Sequence, residues 1–146
     1  IDNVNKDLSR ERSITFTRSK PTVSDYYKLI GKDSSDDPVL ITLHGWLRIL
    51  PKDICESYNN IWNLHPGLIS KYPELKGKDP QERVYNKQDT YPDIGVVIHK
   101  VVPKVDDGPI ALIRSIKNIF NNKDDVYYNL HSIATEAWIE FLNEMV

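Results

Sequence analysis

Val39-Leu40-Ile41-Thr42-Leu43 is an unbroken β-branched and apolar run, the pattern of a strand covered on both faces. Upstream of it, across the polar stretch from Lys32 to Pro38, the period changes. Thr22 followed three residues later by Asp25 reads as a helix N-cap. Val23, Tyr26, Tyr27 and Ile30 stand at helical spacing behind that cap, and Gly31 ends the helix. Further back, Ser13 to Arg18 alternates, with Ile14 and Phe16 on one face, and reads as another strand. Strand, helix and strand in this order form a βαβ unit. The expected fold class is therefore α/β, a mostly parallel twisted sheet flanked by helices.

Downstream, Pro51 to Tyr58 suits a short helix and Ile61 to Leu64 a buried strand. Asp79 and Pro80 read as the N-cap and first residue of a helix running to about Lys87. Gly95 to Val102 and Ile110 to Ile116 bracket an Asp-Asp-Gly-Pro turn and are expected to pair as antiparallel strands. The clearest helix runs from about Asp124 to Glu144. Val126, Leu130, Ile133, Ala137 and Phe141 form its apolar stripe, broadened by Ala134, Trp138, Leu142 and Met145. Trp138 is expected in the core. Residues 1–12 are charged and without period, the composition of a mobile arm. With no internal repeat and no second boundary, a single domain spanning 1–146 is expected.

The formal charge of −2 and pI near 6.1 create no global basic field, so nucleic-acid binding is not expected. One cysteine, Cys55, can form no internal disulfide and completes no zinc cluster, which fits a reducing, cytoplasmic setting. No apolar run approaches the roughly twenty residues that span a bilayer, so no membrane partner is expected. The N-terminus is too polar for a signal peptide. The chain opens on Ile1 rather than Met, as a processed product or a fragment would.

Chemistry concentrates in two places. Trp62-Asn63-Leu64-His65-Pro66-Gly67 carries an amide and an imidazole two residues apart, on one face if the segment is a strand. Val105-Asp106-Asp107-Gly108-Pro109 offers carboxylates on a turn. Amide, imidazole and acid together suit acyl transfer to an amine: the first two can stabilise an oxyanion, the third can orient the imidazole and move protons. A carboxylate beside His65 is expected to raise its pKa and favour the imidazolium. The bland readings are a buried structural histidine for His65, a turn-capping Asn63 and ordinary turn residues for Asp106 and Asp107. His99 is expected to pack on its strand, His131 to face solvent, and His44 to lie at a strand end. No ligand cluster is spaced for a metal.

The chain resembles the folate-dependent formyltransferase family, through four blocks in the family's order. They are His44-Gly45-Trp46-Leu47-Arg48-Ile49-Leu50-Pro51, then Asn63-Leu64-His65-Pro66 continued by Lys71-Tyr72-Pro73, then Gly95-Val96-Val97-Ile98-His99, and finally Asp106 with Gly108-Pro109. The likeness covers about residues 22 to 145 and is nearest the glycinamide ribonucleotide transformylase branch. It implies a Rossmann-like architecture and 10-formyl-tetrahydrofolate as formyl donor. Asn63, His65 and Asp106 would be the catalytic trio. The folate would lie against Arg48, Ile49, Leu50, Val97, Val105, Asp106 and Asp107, and a small-molecule amine would be the acceptor.

The chain also departs from the family's pattern. The first glycine is Gly31, so the N-terminal Gly-rich phosphate loop has no counterpart and the fold reads as N-terminally abbreviated. Gly67 stands where the family has a small hydroxyl residue, Ile69-Ser70 where it has Leu-Pro, and Asp107 where glycine is common. Two other readings stay open: a non-catalytic folate- or partner-binding module, and an N-formyltransferase acting on a sugar-nucleotide or modified nucleobase. Homo-oligomerisation is left open too.

Overall fold

The computed structural model describes residues 21–30, 40–46 and 48–145. The expected arm at 1–12, the expected strand at Ser13 to Arg18, and Gly31 lie outside them. The chain divides into two compact units, Ile1–Asp37 and Pro38–Val146.

In the first unit, α1 is Val23–Ile30. The Asp25 carboxylate accepts from the Thr22 amide at 2.8 Å and from its hydroxyl at 2.7 Å. The Asp25 amide donates back to Thr22 Oγ1 at 3.3 Å. This is a reciprocal cap with Asp in the place usually held by Glu or Gln.

The second unit contains β1 (Ile41–Leu43), α2 (Lys52–Ser57), β2 (Ile61–His65) and a single 3-10 turn (Pro73–Leu75). After these come α3 (Pro80–Asn86), β3 (Asp93–Lys100), β4 (Ile110–Lys117) and α4 (Lys123–Met145). The strands lie in the order β1-β2-β3-β4. The sheet is mixed, flanked by helices, in an α/β architecture. Only β1 and β2 are parallel, Ile41 opposite Ile61 and Leu43 opposite Asn63. β2 with β3 and β3 with β4 are antiparallel, so among the described residues the expectation of a mostly parallel sheet gives way to a mixed one. The physical reason lies in the connections. The only crossover between described strands joins β1 to β2, and β4 returns beside β3 through a short loop that can join only antiparallel neighbours.

β3 is buried along nearly its whole length, as its run Ile94-Gly95-Val96-Val97-Ile98 dictates. α4 packs on β3 and β4. Trp62 meets Phe141 of α4 with ring centroids 5.0 Å apart, and Arg114 pairs with Glu140. Cross-strand partners share a face. α4 therefore covers the face carrying Trp62, Leu64, Val96 and Ile98, and leaves the opposite face to Asn63, His65, Val97 and His99. Its own stripe matches expectation at Val126, Leu130, Ala137, Trp138 and Phe141, all buried. Met145, expected to broaden the stripe, is exposed. The Asn122 side chain caps the helix by accepting from the Asp125 amide at 2.8 Å. Removing a buried anchor such as Phe141 costs about 3–5 kcal/mol.

α3 begins where expected, with Pro80 in its first turn, but Asp79 does not cap it through its side chain. Asp79 is left-handed at φ 52°, and its side chain accepts no hydrogen bond from the helix amides. Proline has no N–H to be capped, which removes part of the need.

Candidate functional site

His65 is the last residue of β2 and is buried. Pro66 and Gly67 end the strand there. Gly67 is needed for space: a Cβ at that position would lie 3.2 Å from both Cδ2 and Nε2 of the His65 ring. Asn63 is half-buried on the same face, directly opposite His99 of β3.

Asp106 comes from the β3–β4 loop, in the left-handed region at φ 50°, a conformation that Asp tolerates better than most residues. Gly108 lets this loop close. Its position is so near the Lys100 carbonyl that an added Cβ would sit 1.8 Å from the oxygen. The Lys100 amide donates to Pro109 O at 2.8 Å and fixes the loop's other end. In the adjoining hairpin the register slips between Ile98 and His99, where Ile98 faces Leu112 and His99 faces Ile110. Such bulges re-aim neighbouring side chains.

The result is a carboxylate between two imidazoles. Asp106 Oδ2 lies 3.3 Å from His65 Nδ1, and Oδ1 lies 3.4 Å from His99 Nε2. The Gly77 amide donates to Oδ2 at 2.8 Å. Each ring also has its far nitrogen on a main-chain carbonyl: His65 Nε2 is 2.9 Å from Leu75 O, and His99 Nδ1 is 2.9 Å from Lys100 O. A carbonyl oxygen only accepts, so these nitrogens carry the hydrogens, and in a neutral ring the bare nitrogen faces Asp106.

Electrostatics corrects one expectation. Burial pushes the His65 pKa down and outweighs both the Asp106 charge and the Leu75 carbonyl, which act to raise it. The resting imidazole is held neutral rather than charged, because desolvation of a buried cation exceeds the gain from its partner. At Asp106 burial acts upward, but the close approach of the His99 ring and the hydrogen bond from the Gly77 amide outweigh it and hold the carboxyl below its usual range.

His99 sits buried on its strand as expected, but its contact with Asp106 was missed. The signal was available: strand alternation puts Gly95, Val97 and His99 on one face. What sequence lacked was the register that sets this face beside Asn63 and His65. Asp107 does not join the cluster, because its carboxylate pairs with Lys76 and Lys104. Arg48 and Ile49 are exposed and Leu50 is buried; Val105 is partly exposed, whereas Val97 has no accessible surface. Val97 can therefore serve a ligand only as backing for the sheet. His44 is exposed, its ring tilted against Trp138, and His131 faces solvent. Among the described residues no group of three or more His, Cys, Asp or Glu is arranged to hold a metal ion, and no helix is long and apolar enough to cross a membrane.

An α/β sheet that holds a carboxylate between two buried imidazoles carries groups able to exchange protons with one another. The comparisons are more specific: a family model described as formyl transferase matches residues 12–142, and the chain belongs to this family. It is 37% identical over 97 residues to a phosphoribosylglycinamide formyltransferase of Dictyostelium discoideum, covering 61% of this chain and 45% of that protein. It is 35% identical over 145 residues to a methionyl-tRNA formyltransferase of Thermotoga maritima, covering 96% of this chain and 39% of that protein. The chain thus spans less than half the length of these curated relatives. Among solved structures, a phosphoribosylglycinamide formyltransferase from Campylobacter jejuni superposes with a TM-score of 0.61 at 25% identity, over 70% of this chain and 53% of that one.

Proposed function

We propose that this chain carries the catalytic centre of a folate-dependent formyltransferase, which moves a formyl group from 10-formyl-tetrahydrofolate to an amine. The observation that carries the reading is the Asp106 carboxylate held between His65 and His99 on the face that also bears Asn63. The residues fit such a donor. Ile49, 72% exposed, and Val105, 43% exposed, offer apolar surface on the segments where the family resemblance sets the folate. Arg48 and the Asp106 loop add polar groups, the mixture found in small-molecule sites. Leu50 and Val97 are buried. When bound, the folate supplies a formyl carbon activated on nitrogen.

The chain's own residues do the rest. Asn63 makes no hydrogen bond to another described side chain, so its amide is available to the formyl oxygen as negative charge develops there. His65 is a neutral base whose bare Nδ1 faces Asp106. A proton taken from the attacking amine, directly or through water, is stabilised on that nitrogen by the carboxylate. The imidazolium then has two N–H groups for two waiting acceptors, Leu75 O and Asp106 Oδ2. One bond forms between the amine nitrogen and the formyl carbon, and the bond from that carbon to the folate nitrogen breaks. The proton removed from the amine returns to the leaving nitrogen.

The test combines binding and turnover. Calorimetry with 5-formyl-tetrahydrofolate should show binding, and an assay with 10-formyl-tetrahydrofolate and a panel of amines, glycinamide ribonucleotide among them, should show transfer. His65→Ala and Asp106→Asn should each lower the rate on the order of a hundredfold or more, with the double variant little worse than either. No folate binding at millimolar ligand, or wild-type rates in both variants, would refute the reading.

A further inference from the structure

Arg83 reaches from α3 to the segment that ends the 3-10 turn and spends its guanidinium on main chain. Nη1 donates to Glu74 O, while Nη2 donates to Leu75 O at 2.9 Å and to Lys76 O at 3.1 Å. It forms no ion pair among the described residues, and its buried Nε has no partner. An arginine committed to three successive carbonyls fixes their directions as a lysine could not, because its donors are set in a rigid fork.

One of the three carbonyls is the acceptor for His65. Leu75 O takes His65 Nε2 at 2.9 Å and Arg83 Nη2 at 2.9 Å, so both of its lone pairs are used. Leu75 itself is anchored, with a side chain that has no exposed area. The next residues are tied to the same cluster, Gly77 through its amide to Asp106 and Lys76 through its ammonium to Asp107. The direction of the Leu75 carbonyl therefore decides which nitrogen of His65 keeps its hydrogen. That choice decides what faces Asp106.

We propose that Arg83 is a positioning residue for formyl transfer: by pinning the carbonyls of residues 74–76 it holds Leu75 O against His65 Nε2–H, and so keeps the imidazole in the tautomer whose bare Nδ1 faces Asp106. The inference rests on the role proposed above for His65. The charged and titratable groups acting on that ring are Asp106, His99 and Arg83 itself. The Arg83 charge opposes the imidazolium, in the same direction as burial. A wrong tautomer in an otherwise intact site can cost about 10⁴-fold in serine proteases; a site that loses only its tautomer restraint loses less.

The experiment is nitrogen-15 NMR of histidine in the full chain, with His65→Gln assigning the signal, alongside steady-state kinetics. The native protein should show His65 with a hydrogen on Nε2 and a bare Nδ1. Arg83→Met should mix the tautomers and lower kcat at least tenfold, with KM for the formyl donor nearly unchanged. Arg83→Lys, which keeps the charge and reaches fewer carbonyls, should fall between, and it carries the test if the methionine variant does not fold. Glu82→Gln, a change next to Arg83 on α3, cuts the ion pair to Lys123 of α4 without touching the carbonyls, and should leave the His65 signal as it was. A native His65 signal in folded Arg83 variants would overturn the inference alone. So would an equal change in Glu82→Gln, because loosening of α3 would then explain it. A changed tautomer with undiminished kcat would overturn the role of His65 as well.

Discussion

Gly108→Ala tests the geometry of the site without touching a titratable group. Gly108 is not in the left-handed region, where the described glycines are Gly45 and Gly77, so alanine meets no backbone penalty there and the effect is purely one of space. Its Cβ would start 1.8 Å from the Lys100 carbonyl oxygen and must retreat to the 3.4 Å of ordinary contact, a displacement of about 1.6 Å. The obstacle is backbone of β3, buried on both faces and paired on both edges, so the loop must yield. Asp106 is two residues away, and its oxygens stand only 3.3 and 3.4 Å from the imidazoles. A shift of that size breaks both contacts. Misplacement by about 1 Å can cost a hundredfold in rate, and overpacking costs about 1–3 kcal/mol. The expected outcome is a folded protein with a lowered denaturation midpoint, kcat reduced at least a hundredfold, and the His65 nitrogen signal moved from its native position. A variant with native kcat and a native His65 signal would refute the account of how Asp106 is held.

Acid stability follows from the two shifted groups. The folded pKa of His65 is lowered, so between that value and the ordinary 6.5 the unfolded chain binds the extra proton. The stability present above pH 6.5 is lost as pH falls through the folded value. Asp106 acts in the same sense from 3.8 downward. Denaturant midpoints at pH 7.5 and 5.5 should therefore fall further for the native protein than for His65→Gln; an equal fall would show that His65 is not held neutral by burial. Gly67→Ala would bring a Cβ to 3.1 Å from Pro80 and 3.2 Å from a His65 ring held at both ends. Unable to retreat, the site should lose about 1 kcal/mol and more in kcat than in KM, and unchanged kinetics would show that the ring has slack. In His99→Gln, transfer should weaken and become non-additive with Asp106→Asn; full additivity would separate His99 from the cluster.

What can be read along the chain is whatever depends on neighbours in sequence. The period of Val126, Leu130, Ala137 and Phe141 marks the α4 stripe, and the run around Val96 marks a strand covered twice. Two-residue spacing puts Asn63 and His65 on one face, and the Asp-x-Gly-Pro turn marks the loop that delivers Asp106. Ordered motif blocks point to the family, since a match in four places constrains more than one local propensity does. Other features were decided between segments distant in sequence. The antiparallel course of β3 against β2 and the register setting His99 opposite Asn63 are matters of pairing. Local pattern does not encode pairing, because the same alternation serves either direction. The neutral state of His65 was likewise illegible: a neighbouring carboxylate is visible in sequence, but the burial that outweighs it is a sum over everything packed around the ring. Asp107, alike in sequence to Asp106, was separated from it only when Lys76 and Lys104 closed on its carboxylate. Arg83 gave no sign of itself, since its partners are main-chain carbonyls, which every residue carries, and only the folded turn aims three of them at one guanidinium.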